Sequence, residues 1–310
     1  MAANVETMFS VRVTPWHGLG EIIQEAPTSD DAIRIAGLDW RVIQSELICK
    51  ENGQIIDGFK VNIRDTDKKT LGIVTDRYKI VQNSEAFAFT DALLGEGVRY
   101  ETAGSLASGR RVWMLAKLED RIITDELIEP YLVFTNSHDG TGAVRVAITP
   151  VRVVCQNTLN LALQKAERQW SCAHKGDIQG KLEEARHTLL NANRYMDELE
   201  EDFGELKLIG LTDDKVKAYI EMLLPIDAAD TPRKILNIQN MRDELMYRYL
   251  EAPDLAPIEK SAYRFVNAVS DFATHRIPGR QTANYQENMF MKTVDGNALI
   301  DMAYRIVRAA

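Results

Sequence analysis

Residues 131–163, YLVFTNSHDGTGAVRVAITPVRVVCQNTLNLAL, hold the side chains best suited to chemistry. His138 and Asp139 sit side by side in a Gly-flanked segment, and Cys155 stands two places before Asn157. A His beside an Asp can act as a general base or donate to a divalent metal. A metal would need three or four ligands, and no further His, Cys or acidic residue stands nearby at a diagnostic spacing. His174 and His187 come much later. Asn, Ser, Asp and Gly are also what tight turns use, so NSHDGTG reads equally as a hairpin turn or a ligand-contacting loop. Cys155 ahead of a helix start could be a thiolate nucleophile, with His138 or His174 as base and Asn157 as orienter. The apolar run VRVVC points instead to a small buried Cys, and Asn157 has an alternative task as a helix cap.

A second candidate is TPWHGLG, where Trp16 and His17 precede two glycines. It suits a ligand loop or stacking platform, and equally an aromatic anchor. There is no G-x-G-x-x-G and no G-x-x-x-x-G-K-[ST], so no nucleotide cofactor is implied through those loops, and no other cofactor is expected. YETAGSLASGRR reads as a turn leading into a strand.

A third pattern is spread over several strands. Lys60 and Arg64, then Arg111 beside Trp113, then Arg145, fall on the polar side of alternating segments. Lys79, Arg110 and Arg152 lie close to them in sequence. If these strands share a sheet, one face is basic with an aromatic on it. Such a face tracks a phosphate backbone and stacks bases, as sequence-independent single-strand binders do. The competing reading is an ordinary solvated sheet face. In RRVWML the alternation is ambiguous: if Trp113 is in the core, stacking fails and Arg110 becomes the exposed base.

The elements that would position these residues change character along the chain. DGFKVNIRD alternates, with Phe59, Val61 and Ile63 on one side, and pairs through a polar turn with LGIVT. NSEAFAFTDALL reads as a helix capped by Asn83 or Ser84. RRVWMLAKL, YLVFT and AVRVAIT read as strands. NTLNLALQKAERQW has helical spacing from Asn157 to Trp170. Four further helical segments follow, one opening with Thr231 as cap and Pro232 at the first position. These elements predict an α+β chain: a mixed, mostly antiparallel sheet domain over 1–175 and a helical region over 176–310.

The 310 residues carry a net charge of −9. Residues 181–260 alone hold 11 Lys/Arg against 18 Asp/Glu, a net of −7. A chain-wide basic footprint for nucleic acid is therefore absent, and only a local basic face is possible. Three scattered Cys, no apolar run long enough for a bilayer and no basic leader predict a cytoplasmic protein without membrane contact.

In order along the chain, TPWHGLG, LDWRV, LGIVTDRYKIVQNSEAF, YETAGSLASGRRVW, NSHDGTGAVRVAITPVRVVCQNTLN and SAYRFVNAVSDF resemble an uncharacterised family carried by phages and plasmids, domain of unknown function 932. The resemblance spans nearly the whole chain and transfers no catalytic residues. It implies a bacterial host cytoplasm and a setting of DNA transfer, recombination or host takeover. The function expected is a non-enzymatic nucleic-acid-associated protein, a single-strand DNA binder or annealing mediator that could form a homo-oligomer. The alternatives are a protein-interaction factor that inhibits a host defence system, docking through the acidic helices, and a cysteine- or metal-dependent enzyme.

Overall fold

The computed structural model describes residues 5–11, 20–94, 99–152, 157–158, 169–189, 192–277 and 297–309. The chain is α+β, with mostly antiparallel strands first and helices concentrated at the C-terminal end. The large sheet runs β11 (Asn157–Thr158), β10 (Val144–Arg152), β9 (Glu126–Ser137), β7 (Arg111–Lys117), β6 (Tyr100–Leu106), β1 (Val5–Val11) and β2 (Glu21–Ile23). Here β12 (Gln169–Cys172) also pairs with β10, and β8 (Arg121–Ile123) with β9. Among the described residues only β1 and β2 run parallel. A separate antiparallel sheet consists of β3 (Val42–Ile48), β4 (Ile55–Arg64) and β5 (Thr70–Thr75).

Alternation along β7 divides the large sheet into two faces. Val112, Met114 and Ala116 join Phe134, Val146 and Ile148 in the main core. That core continues without a break into the helices, out to Val307. It receives α1 (Ser29–Ile35), α2 (Asn83–Leu94), α3 (Ile178–Leu189), α4 (Ala192–Leu208), α5 (Asp213–Leu223), α6 (Pro232–Glu251), α7 (Ala262–His275) and α8 (Ala298–Arg308). α7 is buried from Ala262 through Ser270, apolar and polar residues alike, which makes it the central helix of this end. Ser261 caps it by accepting from the Arg264 amide, and Thr231 caps α6 ahead of Pro232 in the same way.

Two expectations need correction. Asn157 does not cap a helix: Asn157 and Thr158 pair with Arg152 and Val151 as β11. Trp170 likewise lies in β12, paired with Val146. The backbone groups of β10 offer ladder partners to both segments, and that pairing overrides a helical spacing of side chains. Residues 159–168, between them, lie outside the described residues.

The second correction is an inversion in β4. Phe59, expected on the core side, is 47% exposed, whereas Asn62 and Arg64, expected on the solvent side, are buried. Both inward polar side chains find acceptors. The Asn62 amide donates to the His138 carbonyl at 2.7 Å. Arg64 donates to both carboxylate oxygens of Glu6 at 2.8 and 2.9 Å and to both of Asp67 at 2.7 and 2.9 Å. Its guanidinium also lies 5.3 Å from the centre of the Trp40 ring. Bidentate pairing of this kind is what allows an arginine to be buried.

Candidate nucleic-acid interface at the β9–β10 turn

The turn between β9 and β10 separates two environments, and three successive side chains go three ways. Ser137 lies on the face of the large sheet away from the helices. His138 is completely buried on the other side. Asp139 stays within the turn: its Oδ1 accepts from the Ser137 hydroxyl at 2.6 Å, the Thr141 amide at 2.8 Å and the Thr141 hydroxyl at 2.6 Å. Burial pushes the Asp139 carboxyl up, but these three donors, with Arg111 nearby, outweigh it and hold the group below its ordinary value. His138 and Asp139 are therefore sequence neighbours that never act on one another as base and orienter.

Gly72 explains how the turn reaches the small sheet. A Cβ at this position would lie 2.5 Å from the Asp139 Cα and 2.9 Å from its carbonyl oxygen. Only glycine admits this approach.

Behind the turn lies a polar layer. His138 Nε2 meets Asn83 Oδ1 at 3.0 Å, and the Asn83 amide donates to the Leu38 carbonyl at 3.0 Å. That fixes Asn83 Oδ1 as the acceptor and Nε2 as the protonated nitrogen. The ring stands edge-on to Trp40, with centroids 5.3 Å apart. Burial, then the neighbouring His174, depresses the His138 pKa to about 3. His174 stacks on Tyr78 at 4.4 Å, and its Nδ1 donates to the Lys79 carbonyl at 2.8 Å. Both imidazoles are held neutral by their surroundings. Among the described residues no group of three or more His, Cys, Asp and Glu side chains is placed to hold a metal ion.

In front of the turn, the strand register gathers part of the basic pattern. Trp113 pairs with Thr135, and Thr135 pairs with Arg145, so the three form one row across β7, β9 and β10. Arg111 pairs with Ser137 in the next row. Arg111, Arg145, Thr135, Ser137 and Thr141 line a cavity of about 110 Å³, with Trp113 in its wall. The Arg111 guanidinium donates to the Thr141 hydroxyl at 3.3 Å. Arg111 and Arg145 beside one small hollow are donors suited to an oxyanion such as a phosphate group, whereas the Ser137 and Thr141 hydroxyls give their protons to Asp139 and only shape the wall. The hollow is well below the roughly 300–1,000 Å³ of small-molecule pockets.

Trp113 is not a stacking platform. It is 4% exposed and packs with Met8 and Leu106. A Cβ on Gly104 would lie 2.7 Å from the Trp113 ring, so the indole rests directly on that glycine. Lys60 and Arg64 do not join this face, because β4 belongs to the other sheet. Arg64 is consumed by Glu6 and Asp67, and Lys60 stands opposite Glu46. Arg110 and Lys79 are exposed, and both serve the fold through backbone contacts, to His138 and His174. Arg152 ends β10, and its side chain, with Trp16, His17 and Cys155, lies outside the described residues. The hydroxyls of Thr135, Ser137 and Thr141 were missed by a search for charged residues. Their signal was the hydroxyl-rich run TNSHDGT, read with the strand pairing.

A profile of the family described as Domain of unknown function (DUF932) matches residues 70–294. The chain belongs to that family. The match takes in β5 through α7, and so the whole β9–β10 turn and both arginines of the hollow. No curated protein and no solved structure matches the chain. Among the described residues no helix is long and apolar enough to cross a membrane.

Proposed function

We propose that this family member is a non-enzymatic, nucleic-acid-associated protein of a mobile element, acting in a bacterial cytoplasm on single strands during recombination or annealing. The observation that carries this reading is the convergence of Arg111 and Arg145 on one hydroxyl-lined hollow, brought about by register alone. A guanidinium pair recognises a phosphate without reading the base. Exposed Arg110, immediately before Arg111, extends the positive charge beyond the hollow. With Trp113 buried, affinity comes from the backbone and not from stacking, so binding is sequence-independent and strongly weakened by salt.

The test is retention of a fluorescent single-stranded oligonucleotide by the purified chain across a salt series. Binding whose logarithm falls linearly with the logarithm of salt supports the reading. Failure to retain any oligonucleotide at low ionic strength removes it. The reading that then stands is a protein-interaction factor docking through the acidic helices, where Leu208, Met222, Leu236 and Tyr247 are exposed.

A further inference from the structure

Arg111 and Arg145 stand on β7 and β10 with β9 between them, and their partners on β9, Ser137 and Thr135, are two positions apart. A strand spacing of about 4.8 Å and a rise of about 3.4 Å per residue put the two Cα atoms about 12 Å apart, on a diagonal across the hollow. Thr135 and Ser137, both nearly buried, form its floor. Thr141 and Gly142 of the turn line one end, and the buried Trp113 the other. A guanidinium carries several N–H donors in a rigid fork, so a contact inside the protein, such as that of Arg111 with Thr141, leaves donors for a ligand held between the two.

We infer that this hollow takes a terminal phosphate, the monoester at the 5′ or 3′ end of a single strand, in preference to a phosphodiester within the strand. The inference rests on the nucleic-acid reading above and narrows it. Charge is the first reason. A phosphate monoester carries about −1.5 to −2 at neutral pH and has three unesterified oxygens. A phosphate inside a strand carries a single charge and has two. Guanidiniums at opposite corners of one recess match the monoester better, in charge and in the number of oxygens they reach. Shape is the second reason. A terminal phosphate enters a recess with one ester bond at the mouth. An internal phosphate brings chain on both sides, and along the strands the turn and Trp113 close both ends.

The third reason is that the positive charge is local. A protein that follows a backbone lays basic residues along a groove spanning several nucleotides. Here the next basic side chain on this side of β7, Lys117, is held by Glu129 at 2.6 Å and by Asp120 at 3.1 Å. Lys60 and Arg64 belong to the other sheet, and the chain as a whole carries −9. Apart from Arg110 beside it, the hollow is where the attraction is concentrated, and a dianion gains most from charge gathered at one point.

Fluorescence anisotropy of the full chain with one strand, labelled at an internal base, tests the inference. The strand is made with a 5′-phosphate, with a 3′-phosphate, and with hydroxyls at both ends. At about pH 7.5 at least one phosphorylated form should bind about tenfold or more tighter than the hydroxyl form. Arg111→Ala and Arg145→Ala should each remove that advantage. It should also shrink as the pH falls through about 6, where the monoester takes up its second proton, with the hydroxyl-ended strand as the reference at each pH. Excess glycerol phosphate at constant ionic strength should cancel the advantage in the wild-type chain, and glycerol should not, so the test does not depend on the variants folding. Equal affinity for all three strands overturns the inference and leaves the single-strand reading standing. An advantage that persists in both folded arginine variants, or that glycerol phosphate leaves intact, overturns it too. If no strand is retained at low ionic strength, the reading and the inference fall together.

Discussion

Asn83 Oδ1 accepts the His138 Nε2 proton at 3.0 Å, inside a site that solvent does not reach. The sign of the resulting pH dependence follows directly. The folded pKa, about 3, lies below the ordinary value of 6.5. Between those values the unfolded chain takes up a proton that the folded chain refuses. Stability is therefore complete above about pH 6.5 and falls as pH drops, by up to about 1.4 kcal/mol per unit. His174 is shifted in the same direction by its own burial and adds to the slope. Urea unfolding at about pH 7 and about pH 5 should show a loss of roughly 2 kcal/mol, before the carboxylates begin to titrate. A flat profile over that window would show that neither ring is held neutral.

Gly72→Ala places a methyl against the Asp139 backbone, where no side chain can swing away. The turn must shift, and we expect a loss of about 1–3 kcal/mol in thermal or urea unfolding. Gly210→Ala is the control, since nothing lies within 4 Å of its Cβ position and its backbone, like that of Gly72, is not left-handed. A Gly72 variant as stable as the wild type would contradict the close approach.

Arg64→Ala leaves Glu6 without the arginine that holds its carboxyl low, and leaves a void beside Trp40. We expect a stability loss of about 3 kcal/mol. Arg64→Lys keeps the charge but not the paired fork, and should recover only part of it. Neither change should alter the salt dependence of oligonucleotide binding, because this guanidinium is inside the molecule.

The architecture was legible where one side chain pattern meets one environment. The hairpins around NSHDGTG and between β4 and β5, and the helix capped at Thr231, follow from local chemistry alone. The face of a strand was not legible where partners decide it. Asn62 and Arg64 look like solvent residues until Glu6 and the His138 carbonyl arrive from elsewhere in the chain. The same holds for the helical spacing of NTLNLALQKAERQW, whose two described ends are drawn into strands by the β10 backbone. At the site, Arg111 and Arg145 could be named from alternation. That Trp113 would be walled in by Met8 and Leu106, and that Ser137 and Thr141 would complete the hollow, depends on the register of strands distant in sequence.

Trp113→Ala removes a buried indole resting on Gly104 and should cost about 3–5 kcal/mol of stability. Trp113→Phe should be milder. Since the ring is not presented to solvent, the Phe variant should bind oligonucleotide with an unchanged salt slope and nearly unchanged affinity. A folded Trp113→Phe protein that loses the roughly 1–3 kcal/mol of a stacked base would restore the stacking role.

The central claim is that Arg111 and Arg145 grip phosphate together, and the salt slope of single-strand binding measures it most directly. Binding is titrated over a range of salt for the wild type, Arg111→Ala, Arg145→Ala and the double variant. Removing one phosphate-binding guanidinium should flatten the slope of log K against log salt by roughly 0.7, and the double variant by about twice that or less if one phosphate is shared. Arg64→Lys should show the wild-type slope. Slopes that stay the same in all the variants, or a wild type with no salt-dependent binding, would contradict the claim.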